Sequence, residues 1–528
     1  MQWQRERLRR ALQQVALQWG QGFSRQGTPY GWLLDCRQVL LDPRLGPLAG
    51  RLLWQRLRSY MPESIAGMTM AAHPLAVHVQ QAAAREGRRL DVQLIRREPK
   101  GDGLRRQIEG PQLTPGQRVA LVDDLINSGE TQQAAFAALR PARVRVVAVA
   151  TLLDYQRAGS AWLQDQGVAL EALFSLVDLG LSRPAAPELH PDWVMEGLNS
   201  GQYPAPKSTP WVTRRQLLVG SDLGAIVAID REGKQRWRYP VRDAQRGVHA
   251  SPLCYRGKVY AGAYDGFFYC LDERSGRLLW ERHYADWIGS SPILAEGLLV
   301  LGLEFGEMGG SLVALDLDTG DVLWEVPVGD YLHSTPCYSA PAGVLVAAAN
   351  DGIVRGLQPA TGLPLWRFYT SGPVQSSLSC DRQQVYVAGG DGVLYALELQ
   401  TGELLWSRRL GRRLYCKPLL LGNLVIAGGD SGALVALDRR QGCIRWVCHL
   451  AAPMVGGATR GPENEVWVGT CAGDVLCISS RGELRGQFRA RAAIRQLPAA
   501  DRRQLFIADM TGRLYAFSAS RHSQVQRS

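Results

Sequence analysis

The sequence predicts two domains of different class: an α/β domain with a parallel sheet flanked by helices, then an all-β propeller. Three observations predict it. Residues 1–180 alternate strand-like and helix-like runs, the pattern of a parallel sheet with helical crossovers. Residues 181–207 are rich in Pro, Gly and polar side chains, as linkers are. Residues 208–520 are short strands and turns in which a tryptophan returns at spacings of 43, 44, 42, 40 and 40 residues.

At 528 residues the chain is too long for one core. Its 46% hydrophobic and 21% charged residues describe a globular protein. No apolar run is long enough to span a bilayer, and the N-terminus has no signal-like apolar stretch, so the reading is cytoplasmic with no membrane partner. In "MQWQRERLRRALQQVALQW", Leu8, Leu12, Val15, Ala16 and Trp19 share one helical face opposite the arginines, which predicts an amphipathic helix packed on the first domain. The ten cysteines are scattered without a CxxC, and no histidine stands at zinc spacing from Cys443 and Cys448 or from Cys471 and Cys477. They read as buried thiols, with no metal bound directly by the protein. The formal charge of +11 is diffuse and suits a polyanionic small substrate. No basic run is interleaved with aromatics, which argues against a nucleic-acid partner. Residues 521–528 read as a disordered tail.

In the first domain "SIAGMTM", "LDVQLIR", "RVALVDD" and "RVRVVAVATLLD" read as strands, and "PLAVHVQQAAAREG" and "TQQAAFAALR" as the helices between them. The most informative run is "VALVDDLINSGET", residues 119–131. Its apolar residues form a buried strand ended by two aspartates, and a small polar turn opens a helix near Glu130. The amides of Asn127, Ser128, Gly129, Glu130 and Thr131 stand at a helix N-terminus, where phosphate is favoured. Asp123 and Asp124 stand where they can hold two vicinal ribose hydroxyls.

This run resembles the phosphoribosyl pyrophosphate (PRPP) motif of type I phosphoribosyltransferases, and residues 20–180 resemble the orotate-type branch of that family. The resemblance implies a magnesium-dependent transferase joining ribose 5-phosphate to a nitrogenous base, with the metal held mainly through PRPP, and a dimer with shared active sites. "QLIRREPKGDGLRRQIEG" matches the stretch running into the mobile catalytic loop, so Arg96 and Arg97 would bind pyrophosphate and Lys100 would be the catalytic lid lysine. "IAGMTMAAHPLA" matches the pyrophosphate loop, where Gly67, Ala71 and Ala72 let the backbone approach the diphosphate, and where His73 either donates to phosphate or packs at the helix entry. "TPYGWLLDCRQVLLDP" matches the segment whose aromatics lie against the base, with Tyr30 the candidate and Trp32 the alternative or a core residue. Tyr155 stands where the family carries an arginine that holds the orotate carboxylate, and Arg157 lies two residues on. Asp102 stands where the family often has histidine. These departures keep a second reading open: a PRPP- or nucleotide-sensing, or purely interacting, protein without turnover.

In the second domain a glycine stands four residues before each tryptophan, at Gly233/Trp237, Gly276/Trp280, Gly320/Trp324, Gly362/Trp366, Gly402/Trp406 and Gly442/Trp446; Gly482 repeats the glycine, with Gly486 in place of tryptophan. Strands such as "GSLVALD" precede tight turns such as "LDTG". Units of about four short strands per 40 residues indicate a β-propeller, with the tryptophans between adjacent blades. Counting "LLVGSDLGAIVAID" as the first and "LFIADMTGRLYAFS" as the last gives eight blades, or seven if the incomplete last unit forms none. "ALDxxTGxxxW" resembles the propeller repeats named after pyrroloquinoline quinone enzymes. The chain lacks the vicinal cysteine pair of those dehydrogenases, so the reading is against that quinone as a cofactor. His249 in "HASP" and His333 in "HSTP" fall at equivalent positions where an innermost strand begins, as do Tyr415 and Lys417 in a later blade; they read as channel-mouth residues or as a ligand or partner site. The propeller's role is expected to be that of a scaffold or a docking module for a protein partner.

Overall fold

The computed structural model describes residues 2–23, 29–98, 107–182, 186–200, 208–307 and 309–518. Lys100, Asp102, the tail 521–528 and the side chain of Tyr30 lie outside the described residues. The chain divides into two compact units, one of Met1–Gln18 with Leu33–Ser182, the other of Trp19–Trp32 with Arg183–Ser528.

The first unit opens with helix α1 (Gln2–Ala11), which widens into a π-helical turn at Leu12–Ala16; strand β1 (Leu17–Phe23) follows and from Trp19 belongs to the second unit. Leu8, Leu12, Ala16 and Trp19 are buried as the helical spacing predicts, but Val15 is 49% exposed and Trp19 is already in a strand. The wider turn breaks the 3.6-residue register that would have turned Val15 inward. It brings Gln13 inside instead, where its amide donates to the Leu179 carbonyl at 2.9 Å.

Strand β2 (Pro29–Leu34) pairs with β1. There follow α2 (Arg37–Leu40), α3 (Leu45–Leu57), β3 (Ser64–Gly67), α4 (Ala72–Arg85), β4 (Asp91–Ile95), β5 (Ile108–Glu109), β6 (Arg118–Ile126), α5 (Glu130–Leu139), β7 (Arg145–Asp154), α6 (Ala158–Asp165) and β8 (Ala169–Ser175). The sheet runs β5-β4-β3-β6-β7-β8, parallel except for the edge pair β4–β5. Val119, Leu121, Ile126 and Val149 of the sheet pack with Ala135, Ala138 and Leu139 of α5 and Leu163 of α6. The two aspartates of β6 do not end it: the strand continues to Ile126 because Leu125 and Ile126 still pair with Leu153 and Asp154 of β7.

The order places a topological switch between β3 and β6. Helix α4 carries the chain from β3 outward to β4, whereas α5 carries it from β6 the other way to β7. The loops after β3 and β6 therefore part above the sheet. A crevice opens at the carboxyl ends of these two strands, where open α/β sheets bind ligands.

The second unit is a propeller of eight four-stranded antiparallel sheets. The first strands touch between blades three and four, four and five, six and seven, seven and eight, and eight and one, as strands around a central axis do. Trp237, Trp280, Trp324, Trp366, Trp406 and Trp446 lie on the outermost strands. Each indole covers the turn glycine of the next blade. A Cβ on Gly276, Gly320, Gly362, Gly402, Gly442 or Gly482 would fall between 2.4 and 2.8 Å from the ring, and the positive φ of each glycine fits the tight turn. The indole N–H of Trp237, Trp324, Trp366, Trp406 and Trp446 donates to a carbonyl of that next blade at 2.8–3.0 Å.

The eighth blade closes the ring. It has three strands, Ala499–Ala500, Gln504–Ala508 and Leu514–Ser518, and takes its fourth, β9 (Trp193–Met195), from the stretch expected to be linker. Leu514, Tyr515 and Ala516 pair with Met195, Val194 and Trp193. Trp193 serves as this blade's tryptophan: it donates to the Arg231 carbonyl at 2.9 Å and covers Gly233 of the first blade. Just upstream, Leu189 fills the space opposite Gly486, where blade seven lacks its tryptophan; a Cβ at Gly486 would stand 2.5 Å from a Leu189 methyl. One Pro-rich segment thus supplies the strand and both missing side chains, and its composition hides this because each contact is made with a distant part of the chain.

Candidate active site

Side chains from both sides of the switch between β3 and β6 reach Asp123. After β3, Thr69 turns its hydroxyl toward β6 and donates to Asp123 Oδ1 at 2.8 Å, while Thr69 Oγ1 itself accepts from the Ala72 amide at 3.0 Å. Gln132, in the first turn of α5, donates to Asp123 Oδ2 at 2.8 Å. Asp123, 4% exposed, is thereby tied to both sides of the switch, and Asp124 beside it is half-buried. Thr69 and Gln132 were not singled out from sequence, because only the fold brings them to Asp123.

Burial raises the proton affinity of both carboxyl groups, and for Asp123 the adjacent Asp124 raises it further. Burial, then the charges of Asp124, Asp35 and Asp123, push the Cys36 thiol up. Arg37, paired with Asp35 at 2.7 Å, is the cation whose field reaches Asp124. Neither Cys36 nor Arg37 was assigned a role from sequence.

The turn after β6 has the shape a phosphate loop needs. Gly129 caps α5 in the left-handed region at φ 86° and lies against Gly159 of α6, where a Cβ on Gly129 would stand 2.8 Å from the Gly159 Cα. Asn127 is half-buried, while Ser128 and Glu130 are exposed. The amides of Glu130, Thr131 and Gln132 open the helix and lack intrahelical acceptors. Across the crevice, a Cβ on Gly67 would stand 2.9 Å from the Ala72 Cβ, so only glycine fits there. Ala71 and Ala72 are buried at the start of α4. Beside them His73 Nε2 is buried without a hydrogen-bond partner among the described residues.

The remaining candidates are placed as follows. Arg96 and Arg97 are exposed after β4, and Arg96 is held by Glu109 at 2.6 Å. Tyr155 follows β7, and its amide donates to the Ile126 carbonyl at 3.0 Å. Gln156 is left-handed at φ 54°, and Arg157 after it reaches back to the turn that follows β6. The Arg157 guanidinium lies 5.7 Å from the Tyr155 ring centre and donates to Asn127 Oδ1 at 3.4 Å.

Residues 38–171 match the family described as phosphoribosyl transferase domain, and residues 192–335 and 350–527 match the family described as outer membrane protein assembly factor BamB. The chain belongs to both families. Its phosphoribosyltransferase part is 33% identical over 175 residues to orotate phosphoribosyltransferase of Nostoc sp., covering 33% of this chain and 84% of that protein. It is 35% identical over 156 residues to the enzyme of the same name in Streptomyces coelicolor, covering 29% of this chain and 85% of that one. For Corynebacterium glutamicum the figures are 32% over 178 residues, 34% of this chain and 95% of the relative. The phosphoribosyltransferase domain makes the chain a transferase of the glycosyl class. The propeller shares its fold with BamB of Moraxella catarrhalis, at TM-score 0.51 and 16% identity over 62% of this chain and 99% of that one. It shares it also with the designed protein Ika8, at TM-score 0.52 and 16% identity over 61% of this chain and 99% of that one. No helix among the described residues is long and apolar enough to cross a membrane.

Proposed function

We propose that the first unit binds PRPP with magnesium and transfers ribose 5-phosphate to a nitrogenous base, releasing pyrophosphate. The single observation that carries this is the carboxylate pair at the switch point, held between the glycine loop after β3 and the helix-capping turn after β6. Breaking the bond from C1 to pyrophosphate builds positive charge on the ribose and negative charge on the leaving group. Asp123 and Asp124 hold the ribose hydroxyls and face the developing cation. The turn Asn127–Thr131 holds the 5-phosphate through backbone amides. Gly67, Ala71 and Ala72 admit the diphosphate, His73 Nε2 donates to it, and Arg96, Arg97 and Lys100 neutralise it as it leaves. Arg96 exchanges Glu109 for phosphate in that step. The donor set suits magnesium held chiefly by substrate oxygens, since the ion accepts one or two carboxylates and keeps several waters. When bound, the metal offsets diphosphate charge. Holding the partners in line supplies much of the rate.

The names of the relatives point to orotate as the base. With Tyr155 in the arginine's place, Arg157 is the cation left to meet a carboxylate, and to do so it must release Asn127. The reading is of a cytoplasmic enzyme, in keeping with its free thiols. It dimerises through this unit, and the propeller is a scaffold or docking module. The test is pyrophosphate release from PRPP and magnesium with orotate, uracil and the purine bases in turn. Release with one base is the expected result. PRPP binding by calorimetry with no release from any of them would establish instead the sensing role, which the Arg96–Glu109 pair and the diverted Arg157 favour.

A further inference from the structure

Five successive blades of the propeller enter their innermost strand through a short motif near the axis. His249, Gly289, His333, Gln375 and Tyr415 occupy the same place in five successive blades, four residues before Leu253, Ile293, Cys337, Ser379 and Leu419. Blade three has the glycine of this group. Its backbone is not left-handed, so no turn demands glycine there. What glycine supplies is room. A Cβ at Gly289 would stand 3.3 Å from the Tyr264 hydroxyl and 3.4 Å from Glu304 Oε1, so a phenol oxygen and a carboxylate oxygen border one small recess.

Glu304 lies on the strand Leu298–Phe305 of the same blade and is only 2% exposed. A carboxylate so placed needs a cation or a set of donors. His333 of the next blade stands over it, with Nδ1 2.7 Å from Oε1, yet Oε1 receives no aligned hydrogen bond among the described residues. Burial works against a charge on His333, but Glu304 and Asp330 outweigh it and raise the proton affinity of the ring. The histidine side chain is 38% exposed, so it can swing aside. Burial, then the charge of Glu304, pushes the Tyr264 phenol up to about 12 and keeps it neutral. The surroundings are aromatic: the His249 ring lies 4.5 Å from Tyr264, Tyr331 lies 5.8 Å from His333, and Trp287 lies 6.3 Å from Tyr331.

We propose that this recess binds a primary ammonium or guanidinium group, with Glu304 Oε1 as counter-ion, the Tyr264 hydroxyl as acceptor and the surrounding rings as walls. A buried carboxylate whose facing partner is a partly exposed histidine that an incoming cation can replace is the chemistry that recognises such a group. The group is either the end of a free diamine or an arginine or lysine side chain presented by a partner.

The full chain is titrated by calorimetry with agmatine, with the peptide Gly-Arg-Gly, and with the neutral butylurea. Saturable binding of agmatine or the peptide, but not of butylurea, is the expected result. Tighter agmatine binding assigns the site to free amines, and tighter peptide binding assigns it to a partner's side chain. Glu304→Gln should weaken binding at least about tenfold. Gly289→Ala, which fills the recess without touching a charge, should do the same, with its fold checked by circular dichroism because the new Cβ would press on Tyr264 Cε1 at 3.1 Å. No saturable heat from either cation up to about 10 mM, a free energy of only ~3 kcal/mol, would overturn the proposal. So would equal binding by wild type and Gly289→Ala.

Discussion

Asp123 and Asp124 sit side by side where burial disfavours charge, and the protein gains nothing in stability from ionising both. Both folded-state proton affinities are raised above those of the unfolded chain. The native state therefore holds protons that the unfolded state has released, and stability of this unit falls as pH rises from about 4 through the raised values. Asp124→Asn removes that repulsion. It should raise the melting temperature of the first unit by about 3–6 °C at pH 8, less at pH 5, while lowering turnover at least about a hundredfold. A pH series of thermal melts beside the pyrophosphate assay checks both halves. Lys100→Ala should lower kcat by about 10²–10³ with a much smaller change in the KM for PRPP, because a lid lysine acts on the leaving charge and not on the resting complex. Of this site the acidic pair and the glycine turn were legible, since an apolar run followed by "DDLINSGE" carries its own periodicity and turn chemistry. Thr69 and Gln132 were not: nothing in a threonine 54 positions away says that its hydroxyl meets Asp123.

Among the elements, β9 is the one whose loss should be felt furthest from its own position. Trp193 occupies the interblade seat that six other tryptophans occupy, but it is half-buried, so Trp193→Ala should cost about 2–3 kcal/mol, less than truncation of a fully buried aromatic. Chemical denaturation of the full chain would show it as a lower midpoint of the propeller transition. Gly486→Trp would collide with Leu189 and destabilise, although it restores the repeat's consensus residue; Gly486→Trp with Leu189→Gly should recover most of the loss. The repeat was legible because glycine and tryptophan recur at fixed spacing. The segment 186–200 was not, because it pairs with the far end of the chain and its prolines read as linker. The N-terminal helix was legible up to Leu12, where a π turn no residue pattern announced shifts Val15 to solvent.

For the whole molecule, two separate cores predict two unfolding transitions in calorimetry. PRPP with magnesium at a hundredfold excess over Kd should move the transferase transition alone, by about 2.7 kcal/mol, or roughly 5–10 °C. Movement of both transitions together would mean the units unfold as one. The order of synthesis adds a further consequence of the borrowed strand. The ribosome delivers Trp193–Met195 before any blade exists, and the residues it pairs with, Leu514 to Ala516, emerge more than three hundred positions later. At cellular elongation rates this is a wait of about 15 seconds to a minute, during which a short strand has no partner while the preceding transferase domain is free to fold. The propeller can lock only when its own last strand returns to meet its first.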